Sequence, residues 1–320
     1  MISESRIREE LNNVLVDADF PEFGAKRVSG KVRDSYLLDG RRVLVTTDRI
    51  SAFDRILGAI PFKGQVLNQL AAFWFEKTRD IVPNHVISVP DPSVMVVNEC
   101  GQLPLEFIVR GYITGVTKTS AWTNYQLGVR NFCGNQLPEG LRKDQKLERP
   151  ILTPTTKHAV HDRNISREEA IGEGLIDAAT FDAARDICFK LFEAGTKQAA
   201  SNGMRLVDTK YEIGTLNGKL VVSDEIHTPD SSRYWYASDY ADRFARGEEQ
   251  RKLDKEYVRE WLAARGFRGD GEPPALTDEV RIEAAKRYIE AYERITGLEF
   301  KPVEGPIRER VRAALAKLLA

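Results

Sequence analysis

The chain has 320 residues, with 47 Lys and Arg against 48 Asp and Glu, a net charge of −1. Its 42% hydrophobic and 30% charged residues are those of a folded globular protein rather than a disordered one, long enough for one large or two ordinary domains. The charge balance argues against a protein that lives on nucleic-acid phosphates.

Cys100, Cys133 and Cys188 are far apart and odd in number, so they form neither a disulfide framework nor a zinc motif, and a reducing, cytoplasmic setting is expected. The opening residues are polar and acidic where a secretory signal needs an apolar run, and no stretch reaches the length of a membrane span.

Ile7, Leu11, Val14 and Leu15 stand at helical spacing and predict an opening amphipathic helix. Residues 35–38 and 43–47 read as strands around an Asp39-Gly40 turn, and the stripe of Val66, Leu67, Leu70, Phe73 and Trp74 predicts a helix within 64–80. Residues 86–89, 94–97 and 105–112 are again strand-like, so 1–110 reads as a sheet-rich unit with a few helices. The polar, Gly- and Pro-punctuated stretch 134–150 is a long loop. Ser166 and Glu169 match a capping box, and a longer helix over 180–201 stops at Asn202-Gly203. Strands follow over 204–208, 211–216 and 219–226. The tail is helical, with Asp254 and Thr277 as caps, Pro306 as an opening residue and 266–276 as a linker.

Four segments carry candidate chemistry. In Gly30-Lys31-Val32-Arg33, a glycine allows close backbone approach to a phosphate, and two cations on alternate positions can face it together; a turn before a charged edge strand accounts for the same residues. The spacing is not that of a Walker A loop. In residues 46–54 a strand ends among hydroxyls and charges, where Asp48 and Ser51 are either binding residues or ordinary caps. Arg110, at the end of an apolar strand beside Gly111 and Gly115, suggests an anion site or a solvent-facing arginine. The fourth is the most telling: Asp208, Lys210 and Glu212 alternate on one strand, with Asp224 and Glu225 on its hairpin partner. Inward carboxylates on an apolar strand are costly without a cation, and Mg²⁺ takes oxygen ligands from more than one element; an exposed edge hairpin is the alternative. His158 and His161 lack partners at zinc spacing, and protein-kinase motifs are missing.

The blocks GKVRDSY (30–36), TTDRISAFD (46–54), VRGYITG (109–115), SAW (120–122), HDRNIS (161–166), VDTKYEIG (207–214) and SDEIHTPDSSRYW (223–235) resemble, in this order, those of the SAICAR synthetase family. The resemblance implies an α+β, two-lobed ATP-binding enzyme, with an antiparallel β-rich lobe over 1–110, a larger α/β lobe over 111–320, and ATP in a kinase-like or ATP-grasp-like cleft. It implies an ATP-dependent ligase of purine biosynthesis that joins carboxyaminoimidazole ribonucleotide to L-aspartate, with small-molecule partners and neither nucleic acid nor membrane. A small-molecule kinase with a similar cleft is the rival. By the same resemblance, Gly30, Lys31 and Arg33 hold ATP phosphates, and Val96 and Val97 offer backbone groups to adenine. Glu212 and Asp224 hold Mg²⁺, and Lys31, Lys210 and Asp208 serve catalysis. Arg110, Ser120 and Arg233 grip the substrate's phosphate, while Asp48, Ser51 and Asp54 lie near the imidazole or aspartate. Gly115 is followed by Val-Thr-Lys-Thr before Ser120, where shorter members pass straight to Ser-x-Trp, so a threonine of that insertion competes with Ser120 for the phosphate.

The hairpin register is also open to prediction. A two-residue Asn217-Gly218 turn places Glu212 opposite Ser223, on the opposite face from Asp224. A shared metal instead asks for a bulged three-residue loop, Leu216-Asn217-Gly218, with Thr215 opposite Lys219 and Tyr211 pointing away.

Overall fold

The structure, a computed structural model, describes residues 2–52, 55–157, 163–253, 256–269 and 271–319. The chain divides into two compact units, one of Met1–Glu76, His85–Glu99 and Leu253–Ala320 and one of Lys77–Asn84 and Cys100–Lys252.

The first unit opens with a short helix, α1 (Glu4–Glu9), whose N-terminus is capped by the Ser3 hydroxyl. Strands β1 (Arg27–Ser29), β2 (Arg33–Leu38) and β3 (Arg41–Thr46) follow, then a separate hairpin of β4 (Arg49–Ala52) and β5 (Arg55–Ala59). Helix α2 (Lys63–Lys77) leads to β6 (Val86–Asp91) and β7 (Val94–Asn98). The sheet runs β1-β2-β3-β7-β6 with antiparallel neighbours throughout. Alternation along β3 buries Val43 and Val45, which join Tyr36, Val94 and Val96 in one apolar layer.

The second unit is built on two long strands, β8 (Gly101–Ile113) and one over Met204–Leu216. Between them come α3 (Ala121–Gln126), the small hairpin β9 (Asn131–Phe132) and β10 (Asn135–Gln136), and β11 (Gln145–Leu152) and β12 (Thr155–Thr156), which both pair with β8. Helix α4 (Arg167–Gly172) starts at the expected capping box, formed by Ser166 and Glu169. Helix α5 (Ala178–Ser201) buries Phe181, Ala184, Cys188, Leu191, Phe192, Gly195 and Ala199, the i, i+3, i+4 stripe of a helix laid on a sheet. Strand β13 (Met204–Leu216) lies between β8 and, along its other edge, β14 (Lys219–Ser223) and β15 (Ser232–Tyr236); α6 (Tyr240–Arg246) closes the unit. Tyr211 is fully buried and hydrogen-bonds His227 at 2.5 Å. Because strand side chains alternate, Asp208, Lys210 and Glu212 stand together on the opposite face from Tyr211.

Helices α7 (Glu256–Ala263), α8 (Asp278–Thr296) and α9 (Ile307–Leu319) belong to the first unit. This corrects the 1–110 and 111–320 division. The reason is apolar: Ile307, Val311 and Leu315 of α9 pack into the same cluster as Tyr36, Val43, Val45, Val94 and Val96 of the first sheet. Thr277 caps α8 as its position suggests, while Asp254 lies outside the described residues.

The expected bulge at Gly218 is also corrected. Leu216 pairs with Lys219 and Glu212 with Ser223, so Asn217-Gly218 is a two-residue turn. Both turn residues have positive φ, 51° and 73°, the primed geometry whose twist matches the flanking strands.

Candidate active site

In the first unit, β1 and β2 are joined through Gly30-Lys31-Val32. The Gly30 amide donates to the Arg33 carbonyl at 2.8 Å, and a Cβ on Gly30 would sit 2.8 Å from that oxygen, so the tight turn needs glycine. Lys31 is exposed at the edge of an open groove of about 680 Å³ lined also by Ser29, Gly30, Arg55, Ile56, Glu272 and Pro273. Beneath it lies Arg49, 4% exposed, which donates to the carbonyls of Val16, Gly30 and Lys31 and to both oxygens of Asp34. Burial opposes the charge on Asp34, but bonds from Arg49, Ser29 and the Ala18 amide outweigh it and hold that carboxyl below its usual value.

Asp48 is turned into the core. It is fully buried, and its two oxygens accept the amides of Leu15 at 2.7 Å and Gly64 at 2.8 Å, tying the end of β3 to the first turn of α2. Burial is the largest influence on it and lifts its carboxyl to about 6, against the pull of those amides and of Lys63. Val96 and Val97 lie on β7, an interior strand with β3 on one side and β6 on the other, where backbone groups serve the ladders. Ser51 lies on β4, nearly buried beside a bulge; Asp54, His158 and His161 lie outside the described residues.

In the second unit, three neighbouring strands place Arg110, Asp208 and Arg233 on one rung. Arg110 donates to Asp208 at 3.3 Å, to the Thr153 hydroxyl at 2.8 Å and to the Thr119 carbonyl at 3.3 Å, and Arg233 donates to the same oxygen of Asp208. One carboxylate thus holds two guanidiniums, and the rung carries a surplus positive charge. Burial pulls the Arg110 pKa below its usual value, despite Asp208. A Cβ on Gly115, whose φ is +99°, would lie 2.5 Å from the Ser120 Cβ and 3.4 Å from Arg233 Nη2, so glycine is what lets Ser120 come up beside the guanidinium. Ser120 donates to the Thr117 carbonyl at 2.7 Å; of the competing hydroxyls, it is Ser120 that packs at Gly115, while Thr117 is exposed.

Further along β13, the Lys210 ammonium is 2.7 Å from Glu212, 3.2 Å from Glu106 and 3.5 Å from Asp224. Lys157 adds a second cation, 2.7 Å from the other oxygen of Glu212. Although the two-residue turn fixes a register that should part the carboxylates, they meet. β14 ends at Ser223, and Asp224 adopts φ +60°, which turns its side chain out of strand alternation and onto the Lys210 face. Burial would raise the Glu212 pKa, but Lys210 and Lys157 outweigh it and hold it at about 2. Lys210 is itself held well above its usual value: its burial is overcome by Asp224, Glu212 and Glu106.

Sequence reasoning missed Arg49, Glu106 and Lys157. Glu106 was findable: it lies four residues before Arg110 and so on the same face, directly opposite Glu212. Lys157 and Arg49 carry no spacing signal, since their partners are 55 and 15 residues away.

Residues 26–274 match the family model described as SAICAR synthetase. A phosphoribosylaminoimidazole-succinocarboxamide synthase of Legionella pneumophila (strain Paris) is 48% identical over 301 residues, 93% of this chain and 96% of that protein. Among solved structures, a SAICAR synthase from Saccharomyces cerevisiae complexed with SAICAR superimposes with a TM-score of 0.78 at 31% identity, over 90% of this chain and 100% of that one. A type-2 SAICAR synthetase in complex with ADP shares the fold, with a TM-score of 0.65 at 24% identity over 87% of this chain and 100% of that one. With its motifs on a shared α+β fold and a match across most of its length, the chain belongs to the SAICAR synthetase family.

Proposed function

We propose that the protein is an ATP-dependent ligase of de novo purine biosynthesis, joining carboxyaminoimidazole ribonucleotide to L-aspartate to give SAICAR, ADP and phosphate. The observation that carries this reading is the single sheet face centred on β13, where the arginine pair held by Asp208 and the Lys210–Glu212 cluster stand together, Asp208 and Glu212 being four residues apart, roughly 13 Å at strand rise.

The chemistry follows from charge. A carboxylate is a poor acyl donor until a phosphoryl group gives it a leaving group, which the aspartate amine then displaces. Phosphoryl transfer asks for positioning and for cations where charge develops. Arg110, Arg233 and Ser120 anchor the ribonucleotide's phosphate, with Asp208 keeping the two guanidiniums aligned. Lys210 stands ready beside the cluster to meet charge on the transferring group, and Gly30, Lys31 and Arg33 receive the ATP phosphates. Ser51 and Asp54 remain the proposed neighbours of imidazole or aspartate.

Mg²⁺ fits this donor set. Among the described residues, no group of three or more His, Cys, Asp or Glu side chains is arranged to cage a metal. Mg²⁺ is commonly held by one or two carboxylates together with substrate phosphates, and Glu212 and Asp224, oxygen ligands left partly open to solvent, suit that mode. The ion would offset charge on the phosphates. Cytosolic residence is part of the proposal, supported by cysteines that stand outside disulfides; no described helix is long and apolar enough to cross a membrane.

The test is phosphate release from ATP with both cosubstrates and with each omitted. The ligase requires all three together. ADP formation undiminished without L-aspartate would favour a kinase.

A further inference from the structure

Arg49 sits in none of the assigned roles, yet it is among the most heavily committed side chains of the first unit. A guanidinium has five N–H donors, and here five bonds use them: Nε to the Lys31 carbonyl at 3.2 Å, Nη1 to the Val16 carbonyl at 2.8 Å and Asp34 at 3.2 Å, and Nη2 to the Gly30 carbonyl at 2.9 Å and Asp34 at 2.7 Å. The two loop carbonyls belong to the consecutive peptide planes on either side of the Lys31 Cα. Peptide planes are rigid, so fixing both fixes the φ and ψ between them and the direction in which the Lys31 side chain leaves the backbone. The opposite side of the loop is pinned too: the Thr47 amide and hydroxyl both donate to the Val32 carbonyl, at 2.9 and 2.6 Å. Asp34 meanwhile holds the guanidinium flat against the loop.

We propose that Arg49 is a positioning residue for phosphoryl transfer, its guanidinium setting the aim of Lys31 through the two peptide planes that flank it. This rests on the reading of the Gly30 loop as the seat of the ATP phosphates. Arg49 touches no substrate in this account. A lysine at position 49 keeps a charge for Asp34, but a single ammonium cannot span both carbonyls and the carboxylate.

The experiment is a double-mutant cycle on turnover with Arg49→Lys, Lys31→Ala and the double variant, measured with all three substrates. Misplacement of a reacting group by about 1 Å can cost on the order of 100-fold, so Arg49→Lys should lower kcat by about 10- to 100-fold. The ribonucleotide KM should stay within about twofold, since the arginine pair of the second unit is untouched. On the Lys31→Ala background the same Arg49→Lys change should cost less than about threefold, because the group it aims is already gone. A merely structural arginine would give the same loss on both backgrounds, and that result overturns the proposal alone. Near-normal turnover of Lys31→Ala by itself overturns the phosphate-loop reading, and this proposal with it. If Arg49→Lys does not fold, Gly30→Ala replaces it in the cycle. Its Cβ would press on the Arg33 carbonyl and shift the same loop with Arg49 intact. Equal losses with and without Lys31 then count against the proposal in the same way.

Discussion

Replacing Arg233 by lysine separates charge from geometry at the arginine pair. In the native rung, Arg233 gives Nη1 to Asp208 and turns Nη2 toward Gly115 and Ser120, so one flat group serves the carboxylate and the proposed phosphate pocket at once. Lysine has one ammonium for both tasks. A lysine that stays on Asp208 abandons the phosphate, and a charge-assisted hydrogen bond of roughly 1.5–3 kcal/mol goes with it, which corresponds to about 10- to 150-fold in ribonucleotide affinity. Stability should change little. Asp208 keeps Arg110, and the Arg233 side chain is 26% exposed, so the loss should stay within about 1 kcal/mol. Steady-state kinetics with each substrate varied in turn, beside an unfolding curve, measures both. The ribonucleotide KM should rise by that factor while those for ATP and aspartate hold. A rise in the ATP KM with the ribonucleotide KM unmoved would refute the assignment.

Lys31→Ala should lower kcat by about 100-fold or more while leaving the unfolding midpoint nearly unchanged, since an exposed ammonium contributes little to the fold; normal turnover would refute its catalytic placement. Glu212→Gln should raise the Mg²⁺ concentration for half-maximal activity by about tenfold, the effect of roughly 1.4 kcal/mol of lost ligation; an unchanged Mg²⁺ titration would remove Glu212 from the metal site. Asp48 gives a pH signature in stability. Its folded pKa of about 6 lies above its ordinary 3.8, so its contribution is fully present below 3.8 and is lost as pH rises through 6. Urea unfolding from pH 4 to 7 should show Asp48→Asn with a lower stability but without that part of the decline; an identical slope in both proteins would show that burial does not raise this carboxyl.

What the sequence revealed and what it hid follow from the range of the forces involved. The alternation of Asp208, Lys210 and Glu212 was legible because strand geometry is local, and Arg110, Ser120 and Arg233 were legible through their motifs. The meeting of Glu212 and Asp224 was expected for a mistaken reason. A regular strand through Asp224 would part the two carboxylates, whereas a single left-handed residue reverses the face and makes the two-residue turn compatible with the cluster. The surroundings of Val96 and Val97 were hidden because a strand's position within its sheet depends on partners the motif does not name: β6 and β3 pair with β7 on its two sides. The packing of α9 was hidden for a related reason. Its apolar stripe announces a buried face, but not that the cover it provides is for strands more than 200 residues earlier.

That long return has a consequence for how the chain is made. The second unit is almost continuous in sequence, so nearly all its strands have emerged from the ribosome by residue 252. The first unit waits. Val43, Val45, Val94 and Val96 are synthesised early, yet Val311 and Leu315, which share their cluster, come some 200 residues afterwards. Through that interval the nascent sheet carries an apolar face and the unpaired edges of β1 and β6, the combination that invites association between chains before folding is complete. Loss of residues 307–319 would make that interim state permanent.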